Sequence, residues 1–298
     1  MTAVLVLGGN GQLGQALGRA RWSEGTVVHR PGRDVIDLAR PESIATALAA
    51  HPYDIVVNAA AFTAVDAAQD DVAGAFAINA TGPAILADAT RRAGLPLIHV
   101  STDYVFDGSA TGAYPEDATP QPLGVYGASK LAGEYAVLSG NPRAIVLRTA
   151  WVISPFRANF LKTMLRLAAE RPALRVVDDQ RGSPTSADDL AEAIAAIVPR
   201  LAGDADAPTG IYHFVNAGEA SWCELAREIM ACSASRGGPS VPVEGIPTSA
   251  FPTPTRRPVN SRLATGRLTR DYGIEPRDWQ AAVRDIVADP AAMPTAPA

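Results

Sequence analysis

In the segment "VYGASKLAGEY", Tyr126 and Lys130 stand four residues apart. On a helix that spacing puts both side chains on one face. A phenol ordinarily keeps its proton to a pH near 10, and a neighbouring ammonium lowers that value by favouring the phenolate. Tyr126 so placed is a usable general acid or base. Upstream, "HVSTDYVFDG" sets Ser101, Thr102 and Asp103 at the end of an apolar run. A hydroxyl there could donate to a reacting carbonyl, although the same residue types also build ordinary turns. Taken together, Thr102, Tyr126 and Lys130 suit proton and hydride chemistry at a carbonyl.

Composition sharpens the lysine. Of 26 basic residues only Lys130 and Lys162 are Lys, the rest being Arg. In so biased a chain, Lys at position 130 implies a compact point charge that reaches both a ribose and a phenol, which a planar guanidinium would fit poorly. Lys162, in "NFLKTM", reads as a solvated helix face, with a contact to a substrate phosphate as the other reading.

The chain opens "MTAVLVLGGNGQLGQAL", an apolar run that breaks into glycines and continues with helical spacing. Such a bare turn lets an anion approach the main chain, where the first free N–H groups of the next helix meet it. Two spacings fit: Gly9-x-Gly11-x-x-Gly14, the common Rossmann fingerprint, and Gly8-x-x-Gly11-x-x-Gly14, typical of short-chain dehydrogenases/reductases.

Short apolar strands then alternate with helical stretches as far as "AIVLRT". That alternation predicts an α/β fold, a Rossmann-type parallel sheet with helices on both faces, whose binding loops lie at the strands' C-terminal ends. The expected organisation is a cofactor-binding domain over 1–150, a smaller substrate domain over 151–289 partly interleaved with it, and a disordered Pro/Ala tail over 290–298. A net charge of −5 without a basic patch argues against nucleic-acid binding. No apolar run reaches membrane-span length and no signal peptide precedes the first strand, so a cytoplasmic protein is expected. The two cysteines, Cys223 and Cys232, read as reduced and buried, and the four histidines show no ligand spacing, so no metal is assigned to the chemistry.

The blocks "GGNGQLG", "VVNAAAFTAVDAAQ", "STDYVFDG", "PLGVYGASKLAGE", "RTAWV", "DDQRGSPTSADDLA" and "PTSAFPTPTRRPVNSRL" resemble the dTDP-4-dehydrorhamnose reductase family of extended short-chain dehydrogenases/reductases. The resemblance runs from Val4 to about Trp279 and favours the Gly8-based spacing. It implies Tyr126 as proton donor, Lys130 on the nicotinamide ribose and Thr102 on the 4-keto oxygen. Gly8, Asn10, Gly11, Gln12, Leu13 and Gly14 would meet the cofactor phosphates, Asp37 and Leu38 the adenine, and Ala59, Ala60, Ala61, Phe62 and Thr63 the rest of the cofactor. On the substrate side it implies Asp103, Trp151, Arg257, Asn260 and Ser261. The partner would be a dTDP-sugar and the cofactor NADPH, with NADH also accepted. The strand "TVVH" supports that preference, because Arg30 stands where NAD-specific folds carry an acid, and Arg30 or Arg33 could meet a 2′-phosphate.

The chain also departs from the family. Some members bind magnesium between subunits through carboxylates, one just after the glycine motif, where this chain has Gln15. Magnesium and the associated dimer are thus left open, and a monomer or a homodimer is expected. Ile153 stands where the family often carries Tyr. Two other readings stay beside the first: a reductase of another dTDP-4-keto-deoxysugar, and a non-catalytic NADP-binding regulatory subunit of the methionine adenosyltransferase type.

Overall fold

The computed structural model describes residues 1–293. Six parallel strands form the main sheet: β1 (Thr2–Leu7), β2 (Thr26–His29), β3 (Ile55–Asn58), β4 (Leu97–Thr102), β5 (Ala144–Thr149) and Gly210–His213. Their order across the sheet is Gly210–His213, β5, β4, β3, β1, β2. The strands are continuous apolar runs because both faces are covered. Val4, Val6, Ile55, Val57, Ile145 and Leu147 face one side, against α1 (Gln12–Leu17) and the helix Ala187–Gly203. Leu5, Leu7, Val56, Leu97 and Val146 face the other, against the helices Pro41–Ala49, Gly82–Arg92 and Val125–Gly140. Strand order reverses at β1, whose neighbours are β2 and β3. The crevice beyond its C-terminal end is where such sheets take ligands.

A second core, with Leu161, Leu165, Ile229 and Val283, forms between the helices Phe160–Glu170, Trp222–Ala234 and Trp279–Ala288. The strand read in "GIYHFVN" and the helix read in "ADDLAEAIAAIVPRL" lie beyond residue 150, yet they belong to the main sheet and its cover.

Two expectations change. The segment read as a disordered tail begins with the 3-10 turn Pro290–Ala292, capped by Asp289, with Ala292 packed into the second core. Residues 294–298 of that tail lie outside the described residues. The stretch Val72–Arg92 is, by length and composition, apolar enough to cross a bilayer. In the fold it packs along one face, with Ala75 beside Tyr126 and Leu86 and Ala87 under the sheet.

Candidate active site

The glycine turn sits where β1 ends. Gly8 has φ +79°, and a Cβ on it would lie 2.7 Å from Ala60 N, while one on Gly14 would collide with Gly8 O. Gly11 N–H donates to Gly8 O at 2.9 Å, and Gly11 opens α1 without a capping side chain. The turn is therefore bare backbone, the cradle that a dinucleotide pyrophosphate fits. Its rim is held from the second half of the chain. Ser154 Oγ donates to Gln12 Oε1 at 2.8 Å and Arg157 Nε to Asn10 O at 3.0 Å. Leu13 is buried beneath.

Arg30, at the end of β2, donates through Nη1 to Gly14 O at 3.0 Å, so its guanidinium lies along α1. Asp37 accepts Arg33 Nε at 3.2 Å and the Ala39 N–H at 3.0 Å. Burial raises its pKa, but these partners and Arg40 outweigh that and hold it below the ordinary value. Leu38 is buried beside it.

The loop leaving β3 carries Ala59, Ala60, Ala61, Phe62 and Thr63. Asn79 clamps it, accepting Phe62 N–H at 2.8 Å and donating to Phe62 O at 3.1 Å and to Ser129 Oγ at 3.0 Å. Asn79 lies in the π-helical turn Ala77–Thr81, an irregularity common at functional sites.

Thr102 ends β4. Its Oγ1 donates to Asp103 Oδ1 at 3.0 Å and accepts the Tyr104 N–H at 3.2 Å. Tyr126, in the first turn of Val125–Gly140, is buried with its ring edge-on to Tyr104, centroids 5.4 Å apart. Lys130, one turn on, is buried as well, and its Nζ donates to Val100 O at 2.7 Å. Burial pulls the Lys130 pKa down to about 8, against the pull of Glu134. Burial pushes Tyr126 up, the Thr102 hydroxyl opposes this, and Asp103 and Tyr104 add to the rise. The expected lowering of Tyr126 by Lys130 is thus reversed, because the amine is turned to the Val100 carbonyl and desolvation dominates the phenol. Asp103 is pushed up to about 6 by burial, despite bonds from Ser261 and Thr102.

On the substrate side, Trp151 has φ +48°, a strained value for a bulky residue, and stacks on Trp222 with centroids 3.5 Å apart. Arg257 donates to Tyr104 OH at 3.2 Å and to Asp66 Oδ2 at 2.7 Å, which closes the loop over the tyrosine pair. Ser261 lies close enough to Asp103 to oppose the rise in its pKa. Asn260, expected at the nucleotide, is spent elsewhere. Its Nδ2 donates to Ala110 O and Gly112 O, both at 2.8 Å, and its Oδ1 accepts two bonds from Arg262. Those four bonds use the whole capacity of the amide, so Asn260 is a strut for that loop. Lys162 is half-buried and not free on its helix face: its Nζ donates to Pro155 O at 2.9 Å and to Ala291 O at 2.5 Å.

The position just after the glycine motif offers no carboxylate to a magnesium ion. Gln15 donates to Asn10 O at 3.2 Å, and among the described residues no three His, Cys, Asp or Glu are grouped to hold a metal. Near this end of α1, Asp188 and Asp289 are both taken by Arg19, at 3.0 and 2.8 Å. Sequence reading missed His99, Asn79, Ser154, Arg157 and Trp222. Of these, Asn79 had a visible sign, an amide inside an otherwise apolar helical run.

A bare glycine turn at the reversal point of a parallel sheet, with Thr102, Tyr126 and Lys130 gathered at the next strand end but one, defines a nucleotide-cofactor oxidoreductase of the short-chain dehydrogenase/reductase class. The chain belongs to the family described as RmlD substrate binding domain, whose model matches residues 1–291. It is 44% identical over 294 residues to a dTDP-4-dehydrorhamnose reductase of Burkholderia thailandensis, covering 96% of this chain and 98% of the relative. A dTDP-4-dehydrorhamnose reductase of Sinorhizobium fredii is 42% identical over 283 residues, 95% of either chain. Among solved structures, a dTDP-4-dehydrorhamnose reductase of Bacillus anthracis in complex with NADP superposes with a TM-score of 0.89 at 30% identity, covering 97% of this chain and 99% of that one.

Proposed function

We propose that the chain reduces the 4-keto group of dTDP-4-dehydro-6-deoxy-L-mannose to the alcohol, giving dTDP-L-rhamnose, with NADPH as reductant. The observation that carries this reading is the buried group of Thr102, Tyr126 and Lys130 beside the glycine turn. A scaffold that only binds nucleotide has no use for it. The relatives named dTDP-4-dehydrorhamnose reductase and the NADP complex support the choice of sugar and cofactor.

In this reading residues 1–150 chiefly hold the cofactor and 151–289 the sugar nucleotide. The backbone N–H groups from Gly8 to Gly14 receive the pyrophosphate, Arg30 the 2′-phosphate, Asp37 and Leu38 border the adenine, and Ala59 to Thr63 line the remaining length. Lys130 holds the nicotinamide ribose. When bound, the cofactor supplies hydride chemistry at C4. Thr102 orients the keto oxygen, and Tyr126 gives that oxygen its phenolic proton as the carbon becomes tetrahedral. Asp103 and Ser261 adjoin the sugar, Trp151 packs on it, and Arg257 serves the nucleotide side. Burial of the site excludes water and makes each of these dipoles count for more. The reading is of a cytoplasmic enzyme, a setting that its two free, buried cysteines suit.

The test is NADPH oxidation with a dTDP-4-keto-6-deoxysugar mixture, with the C4 configuration of the product determined. Turnover giving the rhamnose configuration supports the reading. A different C4 product points to another deoxysugar pathway, and tight NADP(H) binding without turnover points to a regulatory subunit.

A further inference from the structure

Asn58 ends β3, and His99 is its partner in the parallel register of β4. Both are fully buried. Asn58 Oδ1 accepts the Ala60 N–H at 3.1 Å, which fixes the amide, since only the oxygen accepts. Asn58 Nδ2 therefore faces His99 Nδ1, at 2.9 Å, and can only donate to it. An imidazole whose Nδ1 accepts carries its proton on Nε2. That N–H stands 3.5 Å from Lys130 Nζ. The distance is long for a hydrogen bond, and short enough for the N–H dipole to act on a charge in a dry interior. An ammonium has no lone pair to receive the N–H, whereas the amine has one. The other partner of Nζ, Val100 O, accepts from either form.

His99 does not escape this contact by titrating. Burial, and then the Lys130 charge, hold its pKa well below the ordinary value. The other titratable groups around Lys130 are Glu134 and Tyr126 on its own helix, with Asp103 acting on Tyr126 from the end of β4. Glu134 favours the ammonium, but its carboxylate is shared with Ser101 of β4 and, at 2.6 Å, with Arg148 of β5. Its pull on Lys130 is divided accordingly.

We propose that Asn58 and His99 are positioning residues for Lys130: Asn58 locks the imidazole with its Nε2–H aimed at Nζ, and that N–H makes the lysine give up its proton more readily. The consequence for catalysis rests on the reductase reading above. Tyr126 loses a proton to the ketone oxygen in each turnover. A Lys130 that releases its proton more readily is a nearer proton reserve for the site than bulk solvent, although Nζ itself is turned to Val100 O and does not touch the phenol.

The two-lysine composition makes the test direct. Protein labelled at lysine Cε and Nζ gives two side-chain signals, and Lys162→Arg assigns them. The titration midpoint of Lys130 is followed by NMR in the unliganded wild type, in His99→Phe and in Asn58→Asp. In the last variant the carboxylate accepts from Nδ1–H, so the ring proton leaves Nε2 and a lone pair faces the ammonium. We expect the midpoint to rise in both variants, by at least about tenfold in proton affinity. A midpoint unmoved in both overturns the proposal. A rise in Asn58→Asp alone reports only the added negative charge and overturns it too. Should His99→Phe not fold, the imidazole nitrogen spectrum of the wild type decides, an Nδ1-protonated His99 being the overturning result. None of these readouts needs turnover, so failure of the reductase reading would show separately, as absent NADPH oxidation by the wild type.

Discussion

Thr102 Oγ1 donates to Asp103 Oδ1 at 3.0 Å, while Asp103 Oδ2 is buried without a partner. The hydroxyl that should orient the substrate oxygen is thus turned toward a carboxylate that is poorly solvated when ionised.

That arrangement predicts how stability depends on pH. Asp103 is raised to about 6 in the fold from an ordinary 3.8, so the native state binds more protons than the unfolded chain between those values. Stability therefore falls as pH rises from about 4 to 6, and the loss is complete above that, on the order of 3 kcal/mol for this group. Asp103→Asn removes the dependence. The difference in Tm between the variant and the wild type should move in favour of the variant by about 5 °C from pH 4 to pH 7.5. A difference that stays constant between those two pH values would mean that Asp103 is better solvated than its burial indicates.

Arg30 is expected to discriminate between cofactors, although its guanidinium already donates to Gly14 O. That bond occupies Nη1 alone and holds the charge at the end of β2. Arg30→Ala should weaken NADPH binding about tenfold or more, as expected for loss of a charged phosphate partner, and NADH binding less than about threefold. Equal losses for the two cofactors would leave Arg30 as a brace for α1 only.

Trp222 supports the strained Trp151 by stacking on it, and Phe160 packs on the far side of the pair at 4.6 Å. Trp222→Leu removes the plane that fixes the indole. The expected outcome is a KM for the sugar nucleotide raised about tenfold with kcat little changed, the pattern of lost binding that is common to ground and transition states. A fall in kcat at unchanged KM would contradict this and put the pair closer to the chemistry.

How far the sequence reaches depends on the range of each interaction. The glycine turn was legible because positive φ at Gly8 and the collision at Gly14 are local demands. Tyr126 and Lys130 were legible because helical spacing alone puts them on one face. What they touch was not. Lys130 meets Val100 and His99 only because β4 lies beneath that helix, and His99 meets Asn58 only through the register of two strands. The stack of Trp151 on Trp222, and the last strand joining a sheet begun at Thr2, depend on packing between distant segments. Asn260 looked like a nucleotide ligand until its four bonds were seen.

The sharpest prediction separates charge from shape at residue 130. Lys130 Nζ sits in a buried slot, 2.7 Å from Val100 O and 3.5 Å from His99 Nε2. If positive charge alone mattered, Lys130→Arg should keep most activity, since guanidinium stays protonated under all working conditions. The slot argues otherwise. A planar head is larger than an ammonium, cannot take the neutral form, and meets the His99 N–H with further donors. A displacement of about 1 Å at a reacting group costs on the order of 100-fold in rate, so kcat should fall by about that factor in Lys130→Arg and at least as far in Lys130→Met. Tyr126→Phe should lower kcat about 100-fold or more while NADPH still binds, because only the proton donor is lost. Lys162→Arg serves as the contrast. Its amine joins two backbone carbonyls at the loop after Trp151 and at the C-terminal turn. It should lower Tm and change kcat less than about tenfold. The measurement is kcat, cofactor Kd and Tm for the four variants at fixed pH. A Lys130→Arg enzyme within about threefold of wild type in kcat would show that charge, and not the shape of the slot, keeps lysine at this position.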